Sequence, residues 1–111
     1  MGQKHWNSNE FNARLAQDTA WTNASLKATP GTGLRLYVTD VVVNCGGTGT
    51  TFSLLDGSGG TTLLKYALAA NTAVHINLAV PVKLTANTAL CLTSSGASVG
   101  AQVVAHGYIS K

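Results

Sequence analysis

The sequence predicts an all-β fold, an antiparallel β-sandwich over residues 21–111 preceded by an N-terminal arm over residues 1–20. Three observations predict it. From Trp21 onward, turn residues recur about every 8–12 positions, the spacing of a sandwich or barrel. The runs between them alternate apolar residues with Thr, Ser, Asn or His, as in Val74-His75-Ile76-Asn77-Leu78, which is the period of a strand with one covered face. The chain is also 45% hydrophobic and only 10% charged, against roughly 25% charged residues in an ordinary soluble domain. A hydroxyl- and amide-rich surface of that kind suits lasting contact with other protein.

The arm comes first. Asn7 and Glu10 have the spacing of a capping box, Phe11 and Leu15 share a face at i,i+4, and Glu10 can pair with Arg14, so the segment predicts a helix of about two turns. Alone so short a helix is marginal and needs a surface to dock on. A first strand follows at about Trp21–Ala28, and Pro30-Gly31-Thr32-Gly33 turns it into a second, Leu34–Asn44. Alternation in that second strand falters at Thr39-Asp40, which predicts a β-bulge or burial on both faces. Asp40, the acid set in this apolar strand, has two readings, a buried ion pair or an interface contact, or a bond to loop N–H groups at an edge; the second is the more ordinary.

Gly46-Gly47-Thr48-Gly49 precedes a strand at Thr50–Leu55, and Asp56-Gly57-Ser58-Gly59-Gly60 precedes Thr61–Leu68. Strands at about Ala73–Val80 and Ala89–Ser94 follow two corners of similar sequence, each feeding its strand from an Asn, Asn71 or Asn87, that tolerates the left-handed region. Val74, Ile76 and Leu78 then face the core with Leu90 and Leu92, and His75, Asn77, Cys91 and Thr93 face away. Pro81 has no N–H to give a ladder and places Val80–Leu84 at an edge or bend. A last strand, Val99–Ile109, brings the count to seven or eight.

Composition and spacing exclude several functions. The net charge is +3, yet Lys4, Arg14, Lys27, Arg35, Lys65, Lys83 and Lys111 are scattered, with no stripe for nucleic acid. No apolar run reaches the ~20 residues needed to span a bilayer, and no signal-like segment opens the chain, so the expectation is synthesis in a reducing cytoplasm with Cys45 and Cys91 reduced and half-buried on strands. Glu10, Asp18, Asp40 and Asp56 are too dispersed for two-carboxylate chemistry. His5, His75 and His106 lack metal-ligand spacing, and the glycine-rich stretches lack the Lys and helix of a phosphate loop. No enzyme, metal or cofactor is expected, and a strand His such as His75 or His106 is ordinarily a half-exposed surface residue.

The stretch Leu26-Lys27-Ala28-Thr29-Pro30-Gly31-Thr32-Gly33-Leu34-Arg35-Leu36-Tyr37-Val38-Thr39-Asp40-Val41-Val42-Val43-Asn44 resembles small structural proteins of tailed bacteriophages. The run Val80-Pro81-Val82-Lys83-Leu84-Thr85-Ala86-Asn87-Thr88-Ala89-Leu90 and the ending His106-Gly107-Tyr108-Ile109 share the pattern. In length and composition the chain further resembles the capsid decoration proteins, also called cement or staple proteins, of short-tailed phages of the epsilon type that infect Salmonella. The resemblance implies a jelly-roll-like sandwich on the outer capsid surface of a virion, clamping neighbouring subunits of the major capsid protein and pairing with itself as a two-fold dimer. On that basis the arm is expected to reach a capsid subunit or a sister copy through Trp6, Phe11, Arg14 and Trp21. Aromatics outside the strand pattern are the natural anchors, and deleting residues 1–20 should weaken binding while sparing the β fold. The competing reading is a tail-spike or fibre module that stacks host-surface carbohydrate on Trp or Tyr.

Overall fold

A computed structural model of the chain describes residues 9–111. Among them are eight strands, β1 (Glu10–Gln17), β2 (Ala24–Lys27), β3 (Arg35–Asn44), β4 (Thr50–Asp56), β5 (Thr61–Leu68), β6 (Ala73–Lys83), β7 (Leu90–Ser94) and β8 (Ala101–Ser110). They form two four-stranded sheets, ordered β1-β8-β3-β6 and β2-β7-β4-β5. Antiparallel pairing joins β1 to β8, β2 to β7, β3 to β6 and β4 to β5. The chain is thus one long hairpin, reversing at Gly57–Gly60, whose paired arms roll up so that successive pairs fall in opposite sheets. This is the jelly-roll arrangement.

Alternation explains which side of each strand is buried. Leu36, Val38, Val41 and Val43 of β3 and Ala101, Val103 and Ala105 of β8 meet Leu26, Phe52, Leu54, Leu90 and Leu92 from the other sheet in one core. Leu84, fully buried, closes one end, and its N–H donates to the Leu36 carbonyl at 3.0 Å. The corners behave as their sequences require. Asn71 and Asn87 adopt φ of 59° and 50°, and Asn87 holds its corner by donating its N–H to the Leu34 carbonyl at 2.7 Å while its side-chain oxygen accepts from Gly31 N–H at 3.1 Å.

The expected helix in the arm is not what forms. Glu10–Gln17 is a strand, paired residue by residue with Tyr108–Ala101 of β8. Phe11 and Leu15 fit a helical face, but with Ala13 between them they also fit a strand face, and Ala13 is buried. Pairing along the whole of β1 with a long neighbour satisfies the backbone groups turned to β8 and buries Phe11 and Ala13, which two unsupported helical turns do not. Residues 10–17 therefore belong to the sandwich, and deleting residues 1–20 would strip a sheet edge and a core aromatic instead of sparing the fold.

Phe11 is 6% exposed and lies opposite Gly107 in register. A Cβ on Gly107 would overlap the Tyr37 carbonyl and come within 3.0 Å of the Phe11 ring, so glycine here leaves room for the aromatic. Lys27 of the other sheet sets its Nζ 5.7 Å from the same ring. Trp21, 1% exposed, plugs the β1–β2 connection, with its ring tilted against Phe52 at 5.5 Å and its backbone N–H bonded to Ser94 Oγ at 2.9 Å.

Candidate functional site

The outer face of the β1-β8-β3-β6 sheet gathers exposed and half-buried aromatic and ionisable side chains from four strands. Register lays its residues out in rows: Glu10, Tyr108, Tyr37 and Lys83; then Asn12, His106, Asp40 and Asn77; then Arg14, Val104, Val42 and His75. The rings of Tyr37 and Tyr108 stack in parallel, with centroids 4.9 Å apart and planes 5° from coplanar, and Tyr37 donates its hydroxyl to the Lys111 carbonyl at 3.0 Å. Beside Tyr108 lies an open depression of about 330 Å³ edged by Asn9, Glu10, Thr39, His106 and Ser110.

The bulge anticipated at Thr39-Asp40 shapes this face. Both neighbours of β3 break register between Val38 and Asp40, so Thr39 is the extra residue and Val41 and Val43 regain the core while Asp40 swings outward. On β6 the same break skips from Asn77 to Val82, so Leu78–Pro81 bow away from β3 and leave Val80 78% exposed on the rim. Pro81 sits at that bend on an edge strand, where its missing N–H costs no ladder bond.

Asp40 does not bond loop N–H groups. His75 Nε2 lies 3.2 Å from its Oδ2, His106 Nδ1 lies 3.5 Å from its Oδ1, and the Thr39 hydroxyl lies 2.8 Å from Oδ1. That hydroxyl is also 2.9 Å from the His106 carbonyl, and with one proton it donates to one acceptor at a time. Burial, the largest single influence, pushes the Asp40 carboxyl upward, but hydrogen bonds from Thr39 and His75 and the charges of His106 and His75 outweigh it and hold the carboxyl below its ordinary value. The loop-bonding role expected of Asp40 falls to Asp56, which accepts from Thr85 N–H at 3.0 Å, and to Asp18, which accepts from Gly100 N–H at 2.9 Å.

Thr39, His106 and Asp40 resemble parts of a nucleophile relay without its wiring. The hydroxyl and the carboxylate both approach Nδ1 of His106, whereas a relay needs one partner on each ring nitrogen. Among the described residues no group of three or more His, Cys, Asp or Glu could hold a metal ion. Cys45 and Cys91 are free, and both are buried instead of half-buried. Cys45 lies just beyond β3 and donates its thiol to the Thr48 carbonyl at 3.0 Å, while Cys91 on β7 has its thiol pushed up by burial.

Of the four contact residues expected from sequence, Trp6 lies outside the described residues. Phe11 and Trp21 are absorbed by the domain's own core, which removes their rings from any partner as this fold presents them. Arg14 is exposed on the outer face. The aromatics that do reach this face are Tyr37 and Tyr108, together with the group Asp40, His75 and His106, which sequence reading left as separate surface residues. Their shared outward parity was visible, but the adjacency of β6, β3 and β8 was not.

No protein-family model and no curated protein matches the chain. Among solved structures, the chain is similar to the coat protein of Tobacco streak virus in its C2 crystal form, at 9% identity and a TM-score of 0.39 over 94% of this chain and 90% of that one. It is similar also to the coat protein dimer of the same virus, at 12% identity and a TM-score of 0.37 over 94% and 88%. Likenesses that distant do not decide function.

Proposed function

We propose that the chain is a structural protein of a viral particle and, within that class, a bacteriophage capsid decoration protein of the staple or cement kind. It lies on the outer surface of the major capsid shell and stabilises the head by bridging neighbouring subunits, with a second copy as a further partner. The observation that carries the reading is the outer face of the β1-β8-β3-β6 sheet, a mixed polar and charged surface with the Tyr37–Tyr108 stack near the end where β3 begins and β8 closes. Aromatic side chains are prominent among the few residues that carry most of the binding energy in protein interfaces. The segments that resemble phage structural proteins supply this face: residues 26–44 include all of β3, and residues 106–109 lie in β8.

The mechanism is thermodynamic. A protein that binds only the assembled shell lowers the free energy of that state by mass action, and a second simultaneous contact gains from high effective concentration. No bond need be made or broken. The test is to add purified protein to undecorated heads and read occupancy and heat resistance. Replacing Tyr37 and Tyr108 together with Ser should weaken occupancy by roughly 30-fold or more, the effect of losing about 2 kcal/mol at a hot spot. Undiminished occupancy by that variant, or none by the wild type, overturns the reading. The depression beside Tyr108 favours the second reading, a fibre module for host carbohydrate, which glycan binding without head binding would select.

A further inference from the structure

The cluster on the outer face holds one carboxylate between imidazoles from the two strands that flank it. A carboxylate only accepts, so in a neutral His75 the Nε2 turned to Asp40 carries the proton and Nδ1 is an acceptor. A neutral imidazole has one donor and one acceptor nitrogen whichever tautomer His106 takes. Adding a proton makes both nitrogens of each ring donors. Asp40 stays ionised throughout, because the Thr39 and His75 hydrogen bonds and the two imidazoles favour its charged form.

Other charges on the face set the sign. Among the described residues of its four strands, β1 contributes Glu10 and Arg14, β3 contributes Arg35, and β6 contributes Lys83, with Tyr37 and Tyr108 as the further titratable side chains. With neutral imidazoles these strand residues carry three cations, Arg14, Arg35 and Lys83, against the carboxylates of Glu10 and Asp40; with both imidazoles charged they carry five against the same two. Protonation therefore adds charge and donors together around Asp40.

We propose that this face docks an acidic protein surface and that its hold tightens on acidification, with His75 and His106 as the proton-dependent contacts. The inference rests on reading the face as a docking surface and names the chemistry of its partner. The capsid surface it covers would carry carboxylates opposite the His75–Asp40–His106 row.

The test uses the full chain against immobilised poly(L-aspartate), and in parallel against undecorated heads, from about pH 8 to about pH 5.5 at fixed ionic strength. Two exposed ion pairs gained should tighten binding to poly(L-aspartate) roughly tenfold. A variant carrying His75→Gln and His106→Gln should lose that tightening while keeping its circular dichroism, and Lys65→Gln, on the other sheet, should keep it. An affinity for poly(L-aspartate) that does not change with pH, or an equal change in the double His variant, overturns the inference. Acid-tightened binding to poly(L-aspartate) with no binding to heads supports the inference and removes the capsid reading, so the two fail separately.

Discussion

Replacing Phe11 with Ala tests whether β1 is a load-carrying part of the sandwich or an appended arm. The ring is 6% exposed, lies over Gly107, and has the Lys27 ammonium 5.7 Å from its centroid. Truncating a buried Phe costs about 3–5 kcal/mol. Phe11 is the second residue of an edge strand, where surrounding chain can relax into the gap, so the low end of that range, about 3 kcal/mol, is expected. A domain of this size loses about 4 °C per kcal/mol, which puts the drop in melting temperature at roughly 12 °C. Urea unfolding followed by tryptophan fluorescence should show a lower midpoint with an unchanged slope. A loss below about 1 kcal/mol, the scale of a surface substitution, would refute the placement of Phe11 in the core and return residues 10–17 to the arm.

Gly107→Ala should cost about 3 kcal/mol or more, because its Cβ overlaps the backbone carbonyl of Tyr37 as well as crowding the Phe11 ring, and an unshifted melting temperature would contradict that contact. Asp40 has a lowered carboxyl pKa in the folded state, so its contribution to stability is present above its unfolded value of about 3.9 and is lost as pH falls through the folded value. Asp40→Asn should accordingly be less stable than the wild type near neutrality, with the gap closing in acid; a gap that persists in acid would show that the contribution is not electrostatic. Burial and the raised Cys91 pKa predict that iodoacetamide at about pH 8 labels both thiols slowly in the native protein and rapidly after unfolding, as mass spectrometry would show. Prompt labelling of native Cys91 would place it at the surface.

How much of this was legible depended on range along the chain. The strands over Thr61–Leu68 and Ala73 onward, the bulge at Thr39-Asp40 and the left-handed Asn71 and Asn87 are all visible in the sequence, because each is decided by a residue and its immediate neighbours. β1 was ambiguous at that range. Phe11 and Leu15 satisfy a period of two and a period near four equally, and what selects the strand is β8, which begins more than eighty residues later. Asn23 also takes a left-handed φ, 49°, in a turn that its sequence does not announce.

The amino-acid sequence by itself determined that the chain makes alternating strands between tight turns, that it carries little charge, and that Leu90 and Leu92 are core. Those properties follow from side-chain parity and backbone preference, which act locally. Only the tertiary structure decided which strands lie side by side, and with that the stacking of Tyr37 on Tyr108 and the gathering of His75, Asp40 and His106 from β6, β3 and β8. Strand order is set by the burial of two whole sheet faces against each other, a collective free energy to which no short segment holds the key, and the chemistry of the outer face is a consequence of that order.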